Sequence, residues 1–255
     1  MTEPFNLKEM MAVAGARELR NHEIVVVGLG LPQVASILAK YTHAPDLHMV
    51  LEIGVIDPKP VHTGVGIADP RLWFNATYFS SFIGTLGALC HRGLVDVGFL
   101  GALEVDRYGT INTTWAADAS GRRHFTGSGG ANDIASLAKR TVIVMRHEKR
   151  KLVQKVKYIT SPGFLDGGLS RRDAGLTSGG PSKVITDKCI FEFDRESGEA
   201  VLASVHPGVT VEEVIANTSF TFRTPGTVQV TEQPTSAELR LIREKIDPAR
   251  VYTGD

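Results

Sequence analysis

His48-Met49-Val50-Leu51-Glu52-Ile53-Gly54 is the stretch from which the fold is read. Its apolar run has the character of a strand buried in a parallel sheet, and its one interruption is a carboxylate. Glutamate is rarely buried without a partner. At the carboxyl end of such a strand, open α/β sheets place their ligands. Gly54 removes a side chain there, so that a substrate or another backbone approaches closely. The residues alone leave two readings of Glu52. One is an edge-strand carboxylate that faces water or pairs with an arginine; the other is a site residue.

Working outward, Glu23 to Val27 is a β-branched run ending in Gly28-Leu29-Gly30, and Pro32 opens a helix through about Lys40. With the Glu52 strand this makes a β-α-β unit. Residues 6–20 read as a preceding helix, with Asn6 and Glu9 spaced as a capping box. Downstream, a Pro/Gly-rich loop from Ile56 to Pro70 contains His62. Residues 71–92 carry apolar side chains suited to a helix lying on a sheet. Val95 to Val105 is another apolar run, broken by Asp96 and Glu104. A turn at Asp106-Arg107-Tyr108-Gly109 leads into a short strand from Thr110 to Thr114.

A helix from Ile134 to Arg140 and a strand from Thr141 to Met145 follow, and Tyr158 to Gly163 reads as the end of a further strand. Residues 166–182 read as a mobile surface loop. Val184 to Val205 contains a hairpin, and helices at Thr210–Asn217 and Ser236–Ile246 close the chain. The alternation predicts one α/β domain over residues 1–255, with an open, mostly parallel sheet flanked by helices.

Composition narrows the function. Basic and acidic residues balance at 28 each, which disfavours nucleic-acid binding through bulk charge. Cys90 and Cys189 form no CxxC pair, which suits a reducing cytoplasm. The start, Met1 to Lys8, lacks the basic-then-apolar order of a signal peptide, and no apolar window is long enough to span a membrane.

Gly28-Leu29-Gly30 lacks the third glycine of a dinucleotide fingerprint, although Glu52 stands near the distance of a ribose-binding acid. No P-loop motif occurs. Gly127-Ser128-Gly129-Gly130, before a helix and after Arg122-Arg123-His124, is more specific. Glycine backbone exposes N–H groups that cradle an anion or oxyanion, and the cations beside it favour negative charge. Ser128 lacks the GxSxG framing of a nucleophile. His62, His147 and His206 show no metal-ligand spacing, so no metal is expected. The run Glu148-Lys149-Arg150-Lys151 reads as a solvated face. A carboxylate is an effective nucleophile when the electrophile is activated and water excluded. A thioester is such an electrophile, and its tetrahedral oxyanion suits a pair of loop N–H groups.

Several segments together resemble the second, beta-type subunit of family I CoA-transferases, of the glutaconate type. They include Gly28 to Pro32, Tyr41 to Asp46, Glu52-Ile53-Gly54 and Asp106 to Asn112. Further along come Arg123 to Asn132, His147 to Arg150, Tyr158 to Gly163 and Ile242 to Pro248. The resemblance implies that Glu52 is the nucleophile and that the glycine loop attends the CoA thioester. Ile53, Gly54 and Arg123 become candidates for the substrate pocket. It also implies an alpha-subunit partner, acyl-CoA and carboxylic acid substrates, and coenzyme A as substrate with no permanently bound cofactor. The family has a small polar residue where this chain has Ile53, which suggests a less polar acyl group or a changed reaction. The alternatives are acyl-CoA hydrolysis, decarboxylation or ring cleavage on the same scaffold, or a non-catalytic partner subunit.

Overall fold

The computed structural model describes residues 4–118 and 121–254, so Met1-Thr2-Glu3, used in the signal-peptide reading, lie outside the described residues. The chain packs as two compact units, Met1–Gly101 with Glu232–Asp255, and Ala102–Thr231.

The first unit is built on the predicted β-α-β core. Helix α1 (Leu7–Ala16) starts at Asn6, whose side chain accepts from Glu9 N while the Glu9 carboxylate accepts from Asn6 N, closing the capping box. Strand β1 (Ile24–Val27), helix α2 (Leu31–Tyr41) and strand β2 (His48–Leu51) follow, then β3 (Val55–Ile56), β4 (Tyr78–Phe79) and β5 (Val97–Gly101). The strand order is β5-β1-β2-β3-β4. β5, β1 and β2 run parallel, whereas β3 and β4 add antiparallel pairs. The central parallel strands are buried, as their continuous apolar runs require. The C-terminal segment returns to this unit. There Arg243 pairs with the buried Glu9 at 2.6 Å, and Asp247 accepts from the Val251, Tyr252 and Thr253 amides.

One expectation fails here. Residues 71–92 are not one helix on the sheet. Pro70–Trp73 is a single tight turn, Tyr78–Phe79 is strand β4, and only Ile83–Cys90 is helical, with π-type winding. Asn75 at φ 50° breaks the chain direction between the turn and β4. The apolar side chains face outward: Phe74, Tyr78, Phe79, Phe82 and Ile83 are 53–81% exposed.

The second unit contains a small sheet of β6 (Glu104–Asp106), β7 (Ile111–Asn112) and β11 (Leu152–Val153), and a hairpin of β8 (Trp115–Asp118) and β9 (Gly121–His124). Helix α3 (Ala131–Leu137) leads to β10 (Arg140–Val144), and a short helix α4 (Ser170–Asp173) precedes β12 (Pro181–Ile185). Then come β13 (Cys189–Phe193), β14 (Ala200–Val205), helix α5 (Val211–Ala216) and β15 (Gln229–Val230). β10 and β12 are parallel; β13 and β14 form the expected hairpin, and β12 adds to it as a third antiparallel strand.

Two further expectations are corrected in this unit. Tyr158–Gly163 is not a strand; its pairing with a strand is limited to an isolated bridge between Ser161 and Ile111. Residues 166–182 are not a loose loop, because Arg171, 4% exposed, is buried within them. Its guanidinium donates to the carbonyls of Ala135, Ser136, Pro162, Gly163 and Ser178 at 2.8–3.3 Å. Burial pushes its pKa down to about 10, so it stays charged at neutral pH. A planar fork of five N–H donors satisfies several backbone oxygens together, and those of Ala135 and Ser136 belong to the last turn of α3.

Two buried ionisable groups in this unit pull stability in opposite directions with pH. His147 sits between Thr186 Oγ1 and Thr218 Oγ1, each at 3.0 Å, and burial lowers its pKa to about 4 from 6.5. The unfolded histidine takes up a proton below about pH 6.5, so this stability is present above that pH and is lost as pH falls through 4. Burial pushes the Asp106 carboxyl up to about 6 from 3.8, although Tyr108 N and Thr110 N both donate to it. Its contribution is therefore present below pH 3.8 and lost as pH rises through 6. Asp106→Asn keeps an acceptor for the two amides and removes the opposing titration. We expect this variant to lose about 3 kcal/mol more than the parent between pH 7 and 4, from the size of the Asp106 shift. Urea unfolding at both pH values measures it, and equal losses would contradict the assignment.

Candidate active site

Glu52 lies one residue beyond the carboxyl end of β2, in the Glu52-Ile53-Gly54 turn that reverses the chain into β3. It is not on an edge strand, so that reading of the residue is corrected. The hairpin pairs Leu51 with Val55, and Gly54 N donates to Leu51 O at 3.0 Å. Two anchors from outside the hairpin fix it. Thr85, fully buried in the Ile83–Cys90 helix, donates its hydroxyl to Glu52 O at 2.7 Å. Ser80 N donates to Gly54 O at 2.6 Å. Gly54 has φ 110°, and a Cβ there would stand 2.4 Å from Ser80 O. The glycine thus permits the close backbone approach that its place in the sequence suggested, and the approaching group is Ser80–Ser81.

Glu52 and Ile53 are half-buried, and Gly54 is buried. The same carboxyl edge holds the Gly28–Gly30 turn, where Gly28 N donates to Phe99 O at 3.0 Å. A Cβ on Gly28 would meet that oxygen at 2.8 Å, so this glycine serves packing between β1 and β5. The Gly28 motif is a tight turn and not a completed nucleotide fingerprint.

The glycine loop belongs to the second unit. Gly127 is bound twice to Thr113: its N–H donates to Thr113 O at 3.1 Å and its carbonyl accepts from Thr113 Oγ1 at 2.8 Å. Ser128 O accepts from Ala131 N at 2.8 Å as α3 begins. Gly127 N–H is thereby spent. Among the described residues, the Ser128 and Gly129 N–H groups carry no bond to protein, and both residues are exposed. Of the loop residues proposed from sequence, these two offer donors to a ligand.

Arg122, Arg123 and His124 are exposed on β9. The Arg122 guanidinium lies 4.3 Å from the Trp115 ring centroid and that of Arg123 lies 5.4 Å from Phe125, so both are held by cation–π contact. No group of three or more His, Cys, Asp or Glu side chains among the described residues is placed to hold a metal. His147 and His206 are hydrogen-bonded core residues, and His62 bonds Lys245 O at 2.8 Å. Glu148 pairs with Arg150 and Lys151 at 2.7 Å, one carboxylate among three cations, so the run stays basic. Thr85, Ser80, Thr113 and Arg171 escaped the sequence reading, because nothing in their spacing marks a threonine or arginine that holds a distant backbone.

No helix among the described residues is long and apolar enough to cross a membrane. Residues 8–217 match the family described as Coenzyme A transferase. The chain is 37% identical over 255 residues to the beta-type subunit of glutaconate CoA-transferase from Acidaminococcus fermentans, covering 96% of this chain and 94% of that one. It is 40% identical over 240 residues to the corresponding subunit of 3-oxoadipate CoA-transferase from Pseudomonas knackmussii, covering 94% and 92%. The crystal structure of glutaconate coenzyme A-transferase from Acidaminococcus fermentans superimposes with a TM-score of 0.92 at 34% identity over the whole of both chains. That of the decarboxylase AibA/AibB gives a TM-score of 0.83 at 25% identity over 98% of both. The resemblance carried by the short segments thus extends along nearly the whole chain, and it brings the α/β class with it. Matched in sequence and fold to the beta-type subunits of enzymes that transfer CoA, the chain belongs to the coenzyme A transferase family as a CoA-transferase subunit of that same type.

Proposed function

We propose that this chain supplies the nucleophile, Glu52, of a heteromeric enzyme that moves CoA between an acyl-CoA and a glutaconate-like carboxylic acid. The observation that carries the reading is the Glu52 turn. A half-buried carboxylate stands at the carboxyl edge of parallel strands, on a backbone pinned by Thr85 and Ser80. A nucleophile gains most when its own framework does not move.

In this reading a Glu52 carboxylate oxygen attacks the thioester carbonyl carbon and the C–S bond breaks. CoA thiolate leaves and an acyl-glutamyl anhydride remains. The thiolate then attacks the glutamyl carbonyl, releasing the free acid and leaving a glutamyl-CoA thioester. A second carboxylate reverses both steps. The oxyanion formed at each attack needs N–H donors, and this chain's candidates are Ser128 and Gly129. Arg123 remains a candidate for a carboxylate or phosphate of the substrates.

The partner is an alpha subunit. Five large apolar side chains between Phe74 and Ile83 face water in this chain, and a protein surface rarely leaves such a patch bare. We infer that the partner covers it, and amides 74–83 should gain hydrogen-exchange protection on mixing; unchanged exchange would remove the inference. The reduced, buried Cys189 thiol suits a cytoplasmic setting.

The reading is tested by intact-protein mass spectrometry of the two-subunit complex after incubation with a panel of acyl-CoAs. The expected result is a gain of CoA minus water on the peptide carrying Glu52. Ile53 favours one second reading, decarboxylation or hydrolysis, because an apolar neighbour changes what the site welcomes. Acyl-CoA consumed with no adduct would select it.

A further inference from the structure

The glycine loop has little to hold its own shape. Gly127 and Gly129 take φ of 81° and 48°, and glycine backbone has many alternatives of similar energy. An N–H stabilises an oxyanion only when it points there beforehand, so something outside the loop must set its direction.

Thr160, 3% exposed, is connected to the chain on both sides of the loop. Its Oγ1 accepts from Thr113 N at 2.8 Å and lies 2.7 Å from Thr114 Oγ1. Thr113 in turn holds Gly127: its carbonyl accepts from Gly127 N and its Oγ1 donates to Gly127 O. On the other side, the Thr160 carbonyl accepts from Asn132 Nδ2 at 2.8 Å, and Asn132 lies in the first turn of α3. The buried Asn112 joins the same cluster: its Oδ1 is 3.4 Å from Thr160 Oγ1, and its amide donates to Glu104 at 2.8 Å. Through this cluster one residue governs the entry and the exit of a loop that it does not touch.

We propose that Thr160 is a positioning residue whose hydroxyl and carbonyl set the direction of the Ser128 and Gly129 N–H groups. It supports the turnover step and not acyl-CoA affinity. The inference rests on the reading of the loop as an oxyanion donor.

The test uses the enzyme assembled with its partner chain and compares Thr160→Val, Thr160→Ser, Asn132→Ala and Ser128→Pro. Valine keeps the shape and loses the hydroxyl, and serine restores it. Proline removes the Ser128 N–H itself. We expect Thr160→Val to lower kcat about 10- to 100-fold with KM for acyl-CoA changed by less than about twofold. Thr160→Ser should stay near the parent, Asn132→Ala should lower kcat several-fold in the same pattern, and Ser128→Pro should fall at least as far as Thr160→Val.

If Ser128→Pro lowers kcat and Thr160→Val does not, the positioning role is wrong and the loop reading stands. If neither lowers it, the loop reading fails and takes the inference with it. Equal losses in Thr160→Val and Thr160→Ser, with KM rising and the melting temperature falling, would make Thr160 a packing residue only. Should Thr160→Val fail to assemble, the exposed Asn132→Ala decides: a selective loss of kcat supports the proposal and unchanged kcat overturns it.

Discussion

Replacing Glu52 with alanine should lower CoA transfer by at least about a thousandfold, because the covalent route loses its only nucleophile. The loss should not come from unfolding. The turn is fixed through backbone atoms, Glu52 O to Thr85 and Gly54 O to Ser80, and these contacts survive truncation of the side chain. The mass gain on the Glu52 peptide should vanish together with the activity. Glu52→Asp keeps the charge and withdraws it by one methylene. A displacement of that order costs roughly a hundredfold when the reacting groups are otherwise preset. Alanine and aspartate together separate the need for a carboxylate from the need for its position. Activity surviving in Glu52→Ala, measured in the two-subunit complex, would exclude the nucleophile role and favour a supporting, non-catalytic chain.

Gly54→Ala should be nearly as damaging, by a different route. At φ 110° an L side chain is strained by about 1–3 kcal/mol before any contact is considered. The new Cβ would also stand 2.4 Å from Ser80 O and 2.9 Å from Ser81 N. These are backbone atoms, and Ser80 N is bonded to Gly54 O, so they cannot retreat without breaking the clamp. The turn must move, and Glu52 moves with it. We expect kcat to fall about a hundredfold or more, with a lower melting temperature. Gly127→Ala makes a useful contrast, since a Cβ there meets nothing within 4 Å and only the positive φ opposes it. Its effect on stability should be smaller. Thermal unfolding and kinetics of both variants check the pair, and a Gly54→Ala enzyme with parent-like kcat would show that the Ser80 clamp does not set the nucleophile.

Much of this molecule is legible in its sequence. The Asn6–Glu9 capping box, the β1-α2-β2 unit and the β13–β14 hairpin are local patterns, and local backbone preference suffices to write them. Glu52 was legible because a carboxylate inside an apolar strand demands an explanation. The run from Leu72 to Leu86 was misleading for a physical reason. Apolar residues recur along it at helical spacing, yet the chain turns at Asn75, with φ 50°, and Tyr78–Phe79 pairs as β4, and periodicity alone does not show such a break. Residues 166–182 misled in the opposite sense. Glycine and serine suggested looseness, and one buried cation, Arg171, gathers carbonyls from α3, Pro162, Gly163 and Ser178 into a fixed cluster.

By itself the sequence determined the α/β class and the family and singled out Glu52 as the candidate carboxylate, because hydrophobic period, glycine spacing and motif residues are local and are written directly in the chain. Tertiary structure alone decided how the backbone under Glu52 is held and, among the described residues, which loop amides carry no bond to protein. Thr85 reaches Glu52 O across 33 positions, and Thr160 reaches Thr113 N across 47. Contacts of that span arise from the closure of the fold, so no pattern confined to a short window can announce them.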